Sequence, residues 1–67
     1  MYKYMLFAFL LGDCIMLKSG IFKGSYWTIT QVNTDGTFEL QDRDWTLPKV
    51  RRSYLVPVDR RRCEERK

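Results

Sequence analysis

The sequence predicts an all-β domain, a small five-stranded barrel followed by a flexible basic C-terminal tail. Three observations lead to this prediction. The chain has only 67 residues, and a closed sheet suits so short a chain because it removes exposed edges. Aromatic residues make up 15% of the chain, and aromatic side chains favour strands. Glycine-containing turns separate short apolar stretches between residues 12 and 58.

The first half of the predicted barrel contains two strands and a loop. Residues 13–18 predict the first strand, because Ile15 and Leu17 fall on one face of an alternating pattern. Residues 19–24 have a glycine near the start and another at the end, and two glycines that bracket a segment are typical of a loop. Residues 25–32 are almost entirely β-branched, aromatic or hydroxylated, so they predict a longer second strand.

The second half begins with the Asn-Thr-Asp-Gly turn of residues 33–36, where glycine supplies the positive φ of a tight hairpin. Residues 37–41 then pair back on the second strand. The remaining elements are a second turn, an edge strand that contains a proline, a 3₁₀ turn and a last short strand, at residues 42–45, 46–51, 52–54 and 55–58.

Three segments follow from these assignments: an apolar N-terminal segment at residues 1–11, the barrel at residues 12–58, and the tail at residues 59–67. The inward positions of the strands and the long loop form the predicted core, which consists of Ile15, Leu17, Phe22, Ile29, Val32, Phe38, Leu40, Leu47, Val50, Leu55 and Val58.

The N-terminal segment contains an unbroken apolar run at residues 5–11. The run is much shorter than the roughly 20 residues that span a bilayer, and its features as a secretion signal are weak. We expect it to pack on the barrel as a strand or to join a missing upstream domain. If it is exposed, it favours a homodimer or a neighbouring domain as partner.

Positive charge is concentrated at the C-terminal end of the chain. Residues 1–48 contain four basic and five acidic residues, a net charge of −1. Residues 49–67 contain eight basic and three acidic residues, a net charge of +5. This asymmetry indicates a polyanionic partner, nucleic acid or an anionic membrane surface, and of the two we expect nucleic acid.

The chain has few of the residues that enzymes use. Histidine is absent, which removes the commonest general base and metal ligand. No nucleophile–base pair, phosphate loop or metal-ligand spacing is present. The acidic group of Glu39, Asp42 and Asp44 is too short for a calcium loop and favours a hydrated turn. We therefore expect no enzyme activity, no cofactor and no metal.

The two cysteines, Cys14 and Cys63, lie far apart in the sequence and form no Cys-x-x-Cys pair. A disulfide bond between them is possible, but nothing in their spacing requires one. We interpret them as thiols of a reducing intracellular compartment, the nucleus or the cytoplasm.

The strongest candidate site is a set of basic side chains. Phosphate binding needs several long cations on one surface, and residues two apart on a strand share a face. Arginine suits bidentate phosphate contact. The alternative is a solubilising edge strand with a charged tail. The predicted set is Lys49, Arg51, Arg52, Arg60, Arg61 and Arg62, with Lys18 and Lys23 at its margin.

Two tryptophans are candidates for stacking on nucleic-acid bases, Trp27 on the second strand and Trp45 in the second turn. The alternative for Trp45 is that it caps an open end of the barrel, since so small a core needs every large apolar group. Tyr54 is expected to pack under the 3₁₀ turn.

Four segments occur in an order that points to one family. They read Gly-Asp-Cys-Ile-Met-Leu, Phe-Lys-Gly-Ser-Tyr, Asn-Thr-Asp-Gly-Thr-Phe-Glu-Leu and Leu-Val-Pro-Val, at residues 12–17, 22–26, 33–40 and 55–58. This order resembles the C-terminal domain of integrases from gypsy-type LTR retrotransposons and retroviruses. Ser25 stands where that family usually has proline, and Trp27 stands where a polar residue is more usual.

The resemblance implies an SH3-like barrel that binds DNA and has no catalytic residues of its own. In that setting the partners would be DNA and the other integrase domains. Two alternatives stay open. The KOW-type barrels of transcription and ribosomal proteins share the Gly-Asp start and the loop at residues 19–24, which would imply RNA or a transcription complex. An SH3-like docking subunit would instead bring its basic face to an acidic protein.

Overall fold

A five-stranded antiparallel β-sheet is the main element of the computed structural model, which describes residues 9–64. The strands are β1 (Cys14–Leu17), β2 (Tyr26–Val32), β3 (Phe38–Asp42), β4 (Trp45–Val50) and β5 (Leu55–Pro57). A 3₁₀ turn at Arg52–Tyr54 joins β4 to β5, and a short helix, α1, spans Arg61–Glu64. The prediction of a mainly β domain with five strands is confirmed.

The strands are ordered β4-β3-β2-β1-β5 across the sheet, so β4 and β5 form its two edges. Within residues 9–64 no pairing of β4 with β5 closes the sheet, and the predicted barrel closure is not shown. Both edge strands still contribute to one core, Val50 from β4 and Leu55 from β5. The sheet therefore folds over its core without a closing row of hydrogen bonds.

Strand pairing places apolar residues opposite one another on the core face. Ile15 of β1 lies opposite Trp27 of β2, and Ile29 of β2 lies opposite Leu40 of β3. Cross-strand neighbours of this kind are the main stabilising contacts of a sheet. The buried cluster consists of Ile15, Leu17, Trp27, Ile29, Phe38, Leu40, Val50 and Leu55, with Phe9, Phe22 and Leu47 partly buried against it.

Two residues of the predicted core lie outside this cluster. The register between β2 and β3 shifts between Ile29 and Gln31, and this bulge turns Val32 to the side of Phe38. Val32 is the last residue of β2, however, and 48% of its surface is exposed, because little chain covers the strand end. Val58 lies beyond β5 and is only half-buried. The prediction that these two valines belong to the core is wrong.

The N-terminal apolar run is described only from Phe9 onward, and the rest of the predicted segment lies outside the described residues. The Phe9 ring packs edge-on against Phe38, with the ring centroids 5.8 Å apart. Leu10 and Leu11 are exposed. No helix between residues 9 and 64 has the length and apolar character needed to cross a membrane.

Asn33 joins the turn between β2 and β3 to the edge strand β4. Its Nδ2 donates to Thr37 Oγ1 at 2.9 Å and to the carbonyl oxygen of Pro48 at 3.0 Å. Pro48 lies where the register between β3 and β4 shifts. One side chain therefore fixes both the hairpin turn and the irregular part of β4.

Replacing Asn33 with alanine should lower the free energy of unfolding by about 1–2 kcal/mol, because it removes the side-chain hydrogen bonds to Thr37 and Pro48 and the one that Asn33 Oδ1 accepts from Gln31. Urea unfolding followed by tryptophan fluorescence measures this change. Thr34→Ala, at the exposed neighbouring position, is the matched control and should change the stability by less than about 0.5 kcal/mol. Equal losses in the two variants would contradict the assigned role of Asn33.

Candidate nucleic-acid interface

All eight predicted basic residues are exposed, and most of them gather at the two ends of β1. We call the residues at one end the turn group: Lys18, Lys49, Arg51 and Arg52. The backbone N–H of Lys18 donates to the carbonyl oxygen of Tyr54 at 3.0 Å, which holds the end of β1 beside the 3₁₀ turn. Arg51 leads into this turn, and Lys49 and Arg51 line the same groove. Lys23 lies further along the β1–β2 loop.

The other end of β1 carries the helix group: Arg60, Arg61 and Arg62. Asp59 caps α1, since the backbone N–H of Arg61 donates to Asp59 Oδ1 at 3.0 Å and that of Arg62 donates to the Asp59 carbonyl oxygen at 2.9 Å. Arg60 lines a surface depression together with Cys14 and Thr28. The arginines therefore lie over the start of β1.

The turn group and the helix group flank the edge strand β5. Leu17 of β1 lies opposite Leu55 of β5, and Ile15 lies opposite Pro57. The chain thus runs back along β1 from the 3₁₀ turn to α1. The length of β1 separates the two groups by roughly 10 Å, at about 3.3 Å per residue. The predicted basic residues therefore form two groups with β5 between them, where the sequence suggested one continuous patch.

Few of these cations form ion pairs within residues 9–64. Arg51 and the three arginines of the helix group form no ion pair with any residue between 9 and 64. The Arg52 guanidinium lies over the Phe9 ring, 5.5 Å from its centroid. Lys49 Nζ lies 3.9 Å from Asp35 Oδ2. Arginine charge at both ends of β5 is consequently available to an external anion.

Asp35 is the acidic partner of Lys49, and its local hydrogen bonds keep it ionised. Thr37 Oγ1 donates to Asp35 Oδ1 at 2.6 Å, and the Thr37 backbone N–H donates to the same oxygen at 3.0 Å. These two hydrogen bonds, with a smaller contribution from Lys49, lower the pKa of the Asp35 carboxyl below its ordinary value. Lys49 is therefore partly neutralised and is a weaker candidate for phosphate contact than Arg51.

Trp27 belongs to the core, so the prediction that it stacks on bases is wrong. Only 2% of its surface is exposed, and it lies opposite Ile15 on the core face. Its indole Nε1 donates to Ser25 Oγ at 2.6 Å, which satisfies its polar atom. The position two residues before Ile29 on the same strand could have indicated this inward orientation.

Trp45 is the first residue of β4 rather than part of a turn, and 61% of its surface is exposed. Its ring contacts Phe22 edge-on at a centroid distance of 5.8 Å, and Phe22 in turn contacts Trp27 at 5.4 Å. Trp45 therefore covers Phe22 but leaves most of its own surface open. Stacking on a base stays a prediction for this residue.

Cys14 and Cys63 form a disulfide bond with a Cα–Cα distance of 5.9 Å, so the prediction that they are separate thiols is wrong. The antiparallel pairing of β5 with β1 returns the chain to Cys14, whose carbonyl oxygen accepts from the Val58 N–H at 3.4 Å. The next residues must therefore pass close to Cys14. Residues 61–64 form α1 on this surface, and the predicted flexible tail is not shown for this part of the chain. Residues 65–67 lie outside the described part of the chain.

The fold does not bring the acidic group of Glu39, Asp42 and Asp44 together into a metal site. Among the described residues, no group of three or more His, Cys, Asp or Glu side chains could hold a metal ion. Comparisons with models of known protein families, with curated proteins and with solved structures found no match. The resemblance to integrase C-terminal domains stays a prediction.

Replacing Thr37 with valine should raise the pKa of Asp35 towards its ordinary value, because the hydroxyl donor is lost while the shape is kept. An NMR titration of the Asp35 carboxyl measures this change. The lowered pKa stabilises the folded state above the unfolded-state pKa, and this stability is lost as the pH falls through the folded-state pKa. The variant should therefore lose less stability in acid. Thr46→Val, on exposed β4, is the control, and an unchanged Asp35 pKa in Thr37→Val would contradict the assignment.

Reduction of the disulfide should lower the free energy of unfolding by about 4 kcal/mol, because the bond closes a loop with a sequence separation of 49 residues. Urea unfolding with and without dithiothreitol measures the loss. Cys63→Ala should be less stable than the oxidised chain and insensitive to the reductant. If both cysteines of the native protein react with iodoacetamide before reduction, the bond is absent and this prediction is wrong.

Proposed function

We propose that this domain binds the phosphate backbone of nucleic acid, with DNA as the expected polymer, and does not recognise base sequence. The observation that carries the proposal is the exposure of four arginines at the two ends of β5 that form no ion pair with any residue between 9 and 64, namely Arg51, Arg60, Arg61 and Arg62. Each arginine that neutralises a phosphate releases condensed counterions. The net charge of +5 in residues 49–67 supports the same proposal.

The spacing of the two basic groups suits a nucleic-acid backbone. One DNA strand carries a phosphate for about every 3.4 Å of helix axis, so two basic groups roughly 10 Å apart can contact separate phosphates of one strand. Arginine can contact a phosphate through two parallel hydrogen bonds. The turn group and the helix group could thus engage one strand at two points along β5.

Sequence-independent binding follows from what the site presents. Reading bases in the major groove requires a helix or a β-ribbon that enters it. The helix α1 has four residues and is tied to the sheet by Cys63. The exposed arginines lie on turns and on this short helix, positions suited to contact with a backbone rather than with base edges.

The finer identity belongs to the same proposal. We infer an SH3-like barrel that acts as the non-catalytic, DNA-binding C-terminal domain of a mobile-element integrase, in the nucleus or cytoplasm. The five antiparallel strands and the 3₁₀ turn before β5 support the fold part of this inference. The sequence segments from residue 12 to residue 58 support the family part.

Binding of the purified chain to a fluorescein-labelled DNA duplex across a salt series tests the proposal, with fluorescence anisotropy as the readout. The slope of log K against log salt should correspond to about three to six phosphates. Arg51→Gln and Arg61→Gln, one from each group, should each reduce the slope by about one. The same titration with single-stranded DNA and with RNA identifies the preferred polymer.

Lys23→Gln is the matched control, since it removes one exposed positive charge from the β1–β2 loop. It should leave the salt slope unchanged, because Lys23 lies outside both basic groups. If the three variants weaken binding equally, net charge alone acts and the proposed site is wrong. No binding at about 50 mM salt, where non-specific contacts are strong, would rule out the function itself.

A further inference from the structure

A groove of about 410 Å³ lies between the β1–β2 loop and the edge strand β4. Its walls are polar and apolar in equal part, and the apolar part includes Ile21, Phe22, Leu47 and Tyr54. Phe22 and Leu47 also pack against the buried core, so the apolar wall is fixed from beneath. The groove therefore has a formed apolar wall beside polar and charged groups, and no part of residues 9–64 fills it.

Ile21 is the most exposed large apolar side chain beside this groove, with 93% of its surface accessible. Its position is set by a turn in which the Lys23 N–H donates to the Gly20 carbonyl oxygen at 3.2 Å. The Gly24 N–H donates to the Leu17 carbonyl oxygen at 2.7 Å, and both glycines have the positive φ that such turns need. An ordered turn thus presents an aliphatic side chain that stabilises nothing within the described chain, a feature of interaction surfaces.

The charged side chains that line the groove are positive. Among residues 9–64 they are Lys49 and Arg51, and no acidic residue of this range lines the groove. Within residues 9–64 the neighbouring strand β4 pairs only with β3, so its other edge, apart from Pro48, can accept an extended backbone. Trp45 at the start of β4 extends the apolar surface through its contact with Phe22. Aromatic, arginine and apolar residues of this kind dominate binding at protein interfaces.

We propose that this groove binds an extended acidic segment of another protein, which inserts an apolar side chain between Ile21 and Tyr54. Carboxylates of the segment would lie near Lys49 and Arg51. A protein segment is favoured over a nucleobase, because the most exposed apolar side chain at the groove is the aliphatic Ile21, which offers no planar surface for stacking. The proposal is independent of nucleic-acid binding except at Lys49 and Arg51, which belong to both surfaces.

A short fluorescein-labelled peptide of alternating glutamate and leucine is the probe, and fluorescence anisotropy measures its binding to the full chain. Two control peptides carry lysine in place of glutamate and serine in place of leucine. Both should bind at least about fivefold more weakly, because one loses the charge complementarity and the other the apolar contact. If none of the three peptides binds at about 1 mM protein, the proposal is overturned.

Two pairs of variants locate the site. Ile21→Ser should weaken the glutamate–leucine peptide by about tenfold, while Leu11→Ser, another exposed leucine-sized position, should leave it unchanged. Arg51→Gln should weaken it by about threefold, while Arg62→Gln should not. Equal effects within either pair would overturn the assignment to the groove.

The same variants separate this proposal from DNA binding. Ile21→Ser should leave the salt slope for duplex DNA unchanged, because it removes no cation. Heteronuclear NMR should show peptide-induced shifts at residues 19–22, Leu47 and Tyr54, and shifts confined to α1 would overturn the proposal. If Ile21→Ser weakens a single-stranded oligonucleotide and not the peptide, the groove is a nucleic-acid site and the proposal is wrong.

Discussion

The pairing of β5 with β1 is the constraint on which the rest of the molecule depends. Only three residue pairs form it, from Ile15 with Pro57 to Leu17 with Leu55. This short ladder brings Leu55 into the core, holds the 3₁₀ turn beside the end of β1, and returns the chain to the start of β1. The separation of the two basic groups and the proximity of Cys63 to Cys14 both follow from it. A change that weakens this ladder would therefore disturb the core and the proposed interface together.

The small core reaches the surface through three aromatic rings. Trp27 is buried, Phe22 packs edge-on against it, and Trp45 packs edge-on against Phe22 while remaining largely exposed. A chain of this length buries only about 60% of its unfolded surface, so its large apolar groups must serve both packing and exposure. The groove wall is thus an extension of the core, and its shape depends on how Trp27 is held by Ser25.

Local patterns predicted the elements, and long-range geometry decided the site. Alternation around Ile15 and Leu17 and the turn at residues 33–36 depend on neighbouring residues alone, and both are confirmed. The disulfide and the division of the basic residues depend on which strands pair, and this is not visible in spacing. Val32 shows a third case. Alternation alone would turn it away from the face of Ile29, and the bulge turns it back to the side of Phe38, but its place at the end of β2 leaves it exposed. The burial of Trp27 was predictable, because it shares its strand face with Ile29. The prediction of base stacking followed from its aromatic character instead.

Arg51 is the main residue at which the two proposed surfaces meet. Lys49 is partly neutralised by Asp35, so Arg51 supplies most of the uncompensated charge where the groove adjoins the 3₁₀ turn. A guanidinium that binds a carboxylate through two parallel hydrogen bonds cannot offer the same donors to a phosphate. An acidic segment in the groove would therefore displace a nucleic-acid backbone from the turn group. The helix group lies at the other end of β1 and would keep its contacts, so the two partners would compete in part rather than exclude each other.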